Sequence, residues 1–143
     1  MQVYKGSCEC RDVTFEVTGQ LRPVIACHCD QCRKSSGHFW ASTYAPSENI
    51  NITSGRALSW FQSTDVVRKG FCRTCGSSLF WKLDGRNGLS ISGGAFDDAI
   101  PAKLEKHIFV SEKGCYYEIT DGLPQADQFD LSSEEGAPCD EEE

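Results

Sequence analysis

At 143 residues, with 39% hydrophobic and 24% charged side chains, the chain has the make-up of one globular domain with its own hydrophobic core. No apolar run reaches the length of a membrane-spanning helix, so no membrane partner is expected. The net charge of −7 belongs to one end: all 14 Lys and Arg lie at or before Lys113, while eight of the 21 acids follow Gln125. Residues 1–125 therefore carry +1, which offers no basic face of the kind that holds nucleic acid.

Residues 1–6 lack an apolar targeting stretch, so a cytoplasmic, reducing location is expected, in which thiols stay available for metal. Residues 13–17, Val-Thr-Phe-Glu-Val, alternate apolar and polar and predict a half-buried strand ended by Thr18-Gly19. A short apolar run, 23–26, leads into a cysteine-rich loop, and residues 33–37 predict a turn of helix. Residues 38–44, 50–53 and 58–61 are β-prone, with Gly55 turning between the last two. Residues 66–71 and 79–83 flank Cys72-Arg73-Thr74-Cys75-Gly76, which places that motif at a hairpin tip. Residues 89–92, 107–110 and 116–119 complete about nine strands, and 102–106 read as a helical turn limited by Pro101. Many short strands with turns between them predict an all-β domain over residues 1–125. Residues 126–143 form an acidic tail, expected to be disordered from about residue 132.

Nine cysteines are the chain's outstanding feature, and seven fall in motifs. Cys27-His28-Cys29-Asp30-Gln31-Cys32 places three thiols within six residues of polar loop, which core packing does not explain. Cys8-Glu9-Cys10 and Cys72-Arg73-Thr74-Cys75-Gly76 supply two pairs, the second with the form of a zinc knuckle. Four thiolates from the two pairs close a tetrahedral zinc site, and the other three make an open one. An open position distinguishes a catalytic or substrate-binding zinc from a structural one. Spacing alone also permits a ribbon-like site of Cys29, Cys32, Cys72 and Cys75, although the insert between its halves exceeds the usual ~15–20 residues. A disulfide framework is disfavoured by the odd number of cysteines and the absence of a signal peptide.

In combination, these motifs resemble the glutathione-dependent formaldehyde-activating enzyme family, also called the CENP-V/GFA family. The resemblance rests on Gly6-Ser7-Cys8-Glu9-Cys10, on residues 27–37, and on Arg68-Lys69-Gly70-Phe71 running into the Cys72 motif. It continues through Gly94-Ala95-Phe96-Asp97, His107-Ile108-Phe109-Val110 and Ile119-Thr120-Asp121-Gly122-Leu123-Pro124. It implies a mainly β fold, the β-tent, built of short antiparallel sheets with a structural zinc at Cys8, Cys10, Cys72 and Cys75. It implies a second zinc at Cys27, Cys29 and Cys32, where a small thiol binds; the close spacing of these thiols permits easy oxidation, so this zinc is expected to be the labile one. The family's named reaction joins glutathione to formaldehyde to give S-hydroxymethylglutathione, and members are classed as carbon–sulfur lyases. Arg11 and Tyr116 stand where the family commonly has glycine and tryptophan, and the chain is expected to lack the N-terminal extension of the formaldehyde-activating enzymes proper.

A soft, thiolate-rich zinc suits a substrate sulfur better than it suits a zinc hydroxide. His28 has the ordinary pKa of a proton shuttle, but its place between two cysteines reads first as a solvent-facing spacer. Arg33 and Lys34 are candidate holders of an anionic substrate such as glutathione. His38 and His107 read as packed or surface residues. Trp40, Phe61, Phe80 and Trp81 read mainly as core, Cys115 as a small buried residue and Cys139 as an exposed tail thiol. Two other functions fit the same residues: a non-catalytic, zinc-stabilised interaction module, and a thiol redox or metal-buffering protein.

Overall fold

The computed structural model describes residues 2–128; Met1 and residues 129–143, with most of the acidic tail and Cys139, lie outside the described residues. The domain is mainly β and has the expected β-tent character of small sheets. A three-stranded antiparallel sheet has β1 (Val3–Ser7) beside β2 (Thr14–Thr18), and β2 beside β5 (Ile50–Ser54). The larger sheet contains β3 (Val24–Cys27), β4 (Trp40–Ala45), β6 (Leu58–Gln62), β7 (Val67–Cys72), β8 (Ser78–Leu83), β9 (Leu89–Ser92) and β10 (Leu104–Ile108). Its order is β10-β3-β4-β9-β8-β7-β6, antiparallel except where β10 runs parallel to β3. The helix α1 (Asp30–Ser36) follows β3 and ends at Gly37, whose φ of 90° provides a left-handed stop.

Alternation in β2 explains how the sheets join. Phe15 and Val17 are buried and meet Leu79, Phe80 and Ile91 of the larger sheet in one core. The rings of Phe15 and Phe80 meet edge to face at 5.2 Å, and those of Phe15 and Phe96 at 5.6 Å. Gly6 in β1 lies so close to this packing that an added Cβ would sit 2.3 Å from the Phe15 ring and 2.8 Å from the Ala95 carbonyl. Gly6→Ala is therefore expected to destabilise the fold by about 1–3 kcal/mol through overpacking, readable as a lower thermal midpoint.

Four expectations are corrected. Residues 102–106 form no helical turn; β10 occupies Leu104–Ile108 because parallel pairing with β3 satisfies its backbone, a long-range effect that local propensity does not contain. Residues 116–119 form no strand. Instead, the chain beyond them returns to β10: the His107 N–H donates to the Pro124 carbonyl at 3.0 Å, and the Ala126 N–H to the His107 carbonyl at 2.9 Å. Phe61 and Cys115 are exposed, the former because β6 is an edge strand.

Candidate metal centres and the polar chain behind them

The first cluster is assembled from two turns. Cys8 and Cys10 leave β1, and the Cys8 carbonyl accepts from the Arg11 N–H at 3.2 Å. Arg11 has a φ of 70°, in the left-handed region that glycine enters without penalty. Its guanidinium lies 3.5 Å from Asp97, whose carboxylate also accepts from the Ser7 hydroxyl at 2.8 Å. The second turn begins at the end of β7. The Gly76 N–H donates to the Cys72 carbonyl at 2.8 Å, and the Cys75 N–H points at the Cys72 sulfur at 3.4 Å. Ser77 joins the turns: its hydroxyl accepts from the Glu9 N–H at 3.1 Å and lies 3.2 Å from the Cys75 sulfur.

The ligand sulfurs of Cys8, Cys10, Cys72 and Cys75 all lie within 4.8 Å of one another. Such closeness splits their acidities. The Ser77 hydroxyl, followed by backbone N–H groups, draws Cys75 down to about 5. The backbone at Asp12 favours the Cys10 thiolate, yet burial and the three neighbouring thiols push Cys10 up to about 12. Four sulfurs in this space cannot all ionise without a cation, and the cluster could hold a divalent ion that would supply the missing charge.

The second cluster lies where β3 passes into α1. Cys27 closes β3, Cys29 caps α1 by accepting from the Cys32 N–H at 3.4 Å, and Cys32 lies within the helix. All three are buried, and their sulfurs lie within 4.8 Å of one another. The Cys29 thiol is held below its usual value by its bond to the Cys32 thiol and, against burial, by the Cys32 N–H; Lys69 adds a favourable charge. The triad can take a metal ion only with its three thiols reduced. The ribbon-like pairing of Cys29 and Cys32 with Cys72 and Cys75 is not the one the fold makes.

His28 is fully buried rather than solvent-facing. Its Nδ1 lies 2.5 Å from the Tyr117 hydroxyl and its Nε2 2.9 Å from His107 Nδ1, while His107 Nε2 lies 2.8 Å from the Asp121 carboxylate. With both rings neutral the carboxylate sets the direction: His107 donates to Asp121, His28 to His107, and Tyr117 to His28. The chain ties the thiol loop to β10 and to the 117–121 segment, and neither Tyr117 nor Asp121 stood out as a site residue in sequence. The signal lay in the Asp121-Gly122 stretch, whose meaning depends on its contact with His107 and, through it, on the contact between His107 and His28, 79 residues apart.

Burial first, then the nearby His107, His38 and Lys113, lower His28 to about 4. A histidine whose folded pKa lies below its unfolded value contributes stability above the unfolded pKa and loses it as pH falls through the folded one. His28 is thus expected to stay neutral from pH 8 to 5, with stability declining from about pH 6.5 towards 4. Imidazole NMR titration checks this; a His28 midpoint near 6.5 contradicts it.

Arg33 pairs with Asp30 at 3.0 Å on the outer face of α1, and Lys34 is exposed beside it. His38 contacts the Tyr116 hydroxyl at 2.5 Å, and Trp40 packs against the buried thiols.

A small mainly β domain with, among the described residues, one four-thiol and one three-thiol cluster is thereby defined. The chain belongs to the glutathione-dependent formaldehyde-activating enzyme family, whose model matches residues 3–112. Among solved structures it is similar to a crystal structure of a Rhodobacter sphaeroides protein, at 22% identity and a TM-score of 0.57, over 68% of this chain and 91% of that one. That likeness concerns the fold. No curated protein matches the chain.

Proposed function

We propose that this protein is a zinc-dependent carbon–sulfur lyase that forms or cleaves the adduct of a small thiol and an aldehyde. Glutathione and formaldehyde are the leading pair, as family membership suggests. The observation that carries this reading is the division of seven buried or turn-held cysteines into a set of four and a set of three. The four match a closed structural site, and the three fall one short of closure. Zinc held by Cys27, Cys29 and Cys32 would supply a Lewis acid that keeps a substrate thiol as its nucleophilic thiolate.

The protein's own groups have separable tasks in this reading. Cys29 and Cys32, fixed by the first turn of α1, set the position of the open side. The Asp121–His107–His28–Tyr117 chain holds the loop backbone and provides a polar route for a proton beside the thiols. Arg33 and Lys34 present positive charge next to the helix and suit an anionic thiol. A cytoplasmic setting fits, because the triad must be reduced to serve.

Adduct formation also proceeds unaided in water, so the test is a rate rather than a yield. Exchange NMR with ¹³C-formaldehyde and a thiol panel, using reduced protein loaded with two zinc ions per chain, should show faster interconversion with at least one thiol. Unchanged exchange for every thiol contradicts the reading. The sulfurs of Cys27, Cys29 and Cys32, all within 4.8 Å of one another, are close enough for reversible disulfide formation, which favours a redox role as the second reading. Reversible loss of zinc under mild oxidant with no effect on adduct exchange would select it.

A further inference from the structure

A small cavity opens beside the three-thiol cluster on the side of Cys32. Cys32, Trp40, Lys69 and Trp81 line it, flanked by Ser35 and Ser78. The larger sheet builds this wall by register. Trp40 stands directly opposite Cys27 in the β3–β4 pair, and Lys69 directly opposite Trp81 in the β7–β8 pair. Directly paired residues project to the same face. The space is about 10 Å³, room for roughly one water-sized group.

Its polar character is one-sided. The indole N–H groups of Trp40 and Trp81 are both buried and meet no acceptor among the described residues. Trp81 is only 5% exposed. An indole nitrogen and an ammonium donate and cannot accept. No carboxylate is among the lining residues. Leaving two such donors buried without an acceptor is costly, so the arrangement is not a neutral way to fill a wall. Donors lining a space for one oxygen, next to a thiol cluster, describe a receptor for one electron-rich oxygen atom.

We propose that this cavity is an oxygen-acceptor pocket in which Lys69 and the indole N–H groups of Trp40 and Trp81 hold the carbonyl oxygen of the aldehyde. The inference rests on the thiol-adduct reading above. The thiol proton leaves to solvent as the thiol becomes thiolate. The sulfur lone pair forms the new S–C bond, the carbonyl π pair moves onto oxygen, and the three donors meet the developing negative charge. The alkoxide takes a proton from solvent, so thiol plus aldehyde give the hydroxyalkyl thioether with nothing else consumed. Cleavage runs the same steps in reverse. Donors placed where charge develops contribute more to the rate than to substrate binding.

Formate, a one-carbon oxygen acceptor, serves as the probe on the reduced, zinc-loaded full chain labelled with ¹⁵N. The indole resonances of Trp40 and Trp81 should move saturably, while that of Trp60, which does not line the cavity, stays in place. Lys69→Met should weaken formate binding at least ~10-fold and slow adduct exchange about 100-fold, with zinc content and thiol KM unchanged. Trp81→Phe keeps the ring, removes the donor and should act in the same direction; Lys69→Arg should recover part of the rate. Formate that moves neither indole, or moves Trp60 equally, overturns the proposal, as does a Lys69→Met protein that binds formate and turns over like the parent. Lys69-dependent formate binding in a protein that accelerates no adduct exchange supports the pocket and removes the thiol-adduct reading instead.

Discussion

Cys72→Ser is expected to abolish cooperative folding, or to leave a protein that is largely insoluble when expressed. Cys72 is fully buried, belongs to the main core cluster, and contributes its sulfur to the four-thiol site. That site joins the end of β1 to the β7–β8 hairpin, segments more than 60 residues apart. Structural zinc sites contribute roughly 10–16 kcal/mol of apparent binding free energy. A whole domain is stable by only about 5–15 kcal/mol. Losing one ligand of such a site therefore threatens the entire margin. Zinc stoichiometry, soluble yield and thermal midpoint measure the effect together. A soluble Cys72→Ser protein that melts like the parent and holds two zinc ions contradicts the assignment of this cluster as structural.

Cys29→Ala should behave in the opposite way: the fold persists and the chemistry disappears. Cys29 caps α1, so its loss costs about 1 kcal/mol, typical of a missing cap. The four-thiol cluster that fastens the sheets together is untouched. The expected protein holds one zinc instead of two, melts a few degrees lower and shows no adduct acceleration. Collapse of the fold on a par with Cys72→Ser would make both clusters structural. Retained acceleration would remove the three-thiol cluster from the mechanism.

Chemistry was more legible in the sequence than architecture. Cysteine spacing reveals local clusters because each thiol pair sits within a single turn, and turns are encoded by neighbours. Which pairs share a site is a tertiary fact: Cys8 and Cys10 meet Cys72 and Cys75 because β1 and the β7–β8 hairpin are brought together by the core around Phe15 and Phe80. The buried chain from Tyr117 to Asp121 was not legible for the same reason. His28 and His107 touch because β10 lies parallel to β3 with His107 opposite Ala26. In sequence, residues 102–106 read as helix, and that reading hid the pairing. Likewise Lys69 and Trp81 become partners only through the β7–β8 register. Residues 116–119 carry strand-like composition, yet Tyr117 is used by its hydroxyl and ring, against His28 and beneath the Lys113 ammonium, rather than by sheet pairing.

The central claim is that one thiol cluster is closed and the other open to a substrate sulfur. Cobalt substitution of the reduced protein reads it directly, because cobalt absorption reports thiolate number and geometry. Two cobalt ions per chain should bind. Adding a substrate thiol should strengthen the sulfur-to-cobalt charge-transfer band and shift the ligand-field bands of one ion only, and this response should vanish in Cys29→Ala. A spectrum that answers to no thiol in a broad panel, with Cys29→Ala indistinguishable from the parent, contradicts the claim.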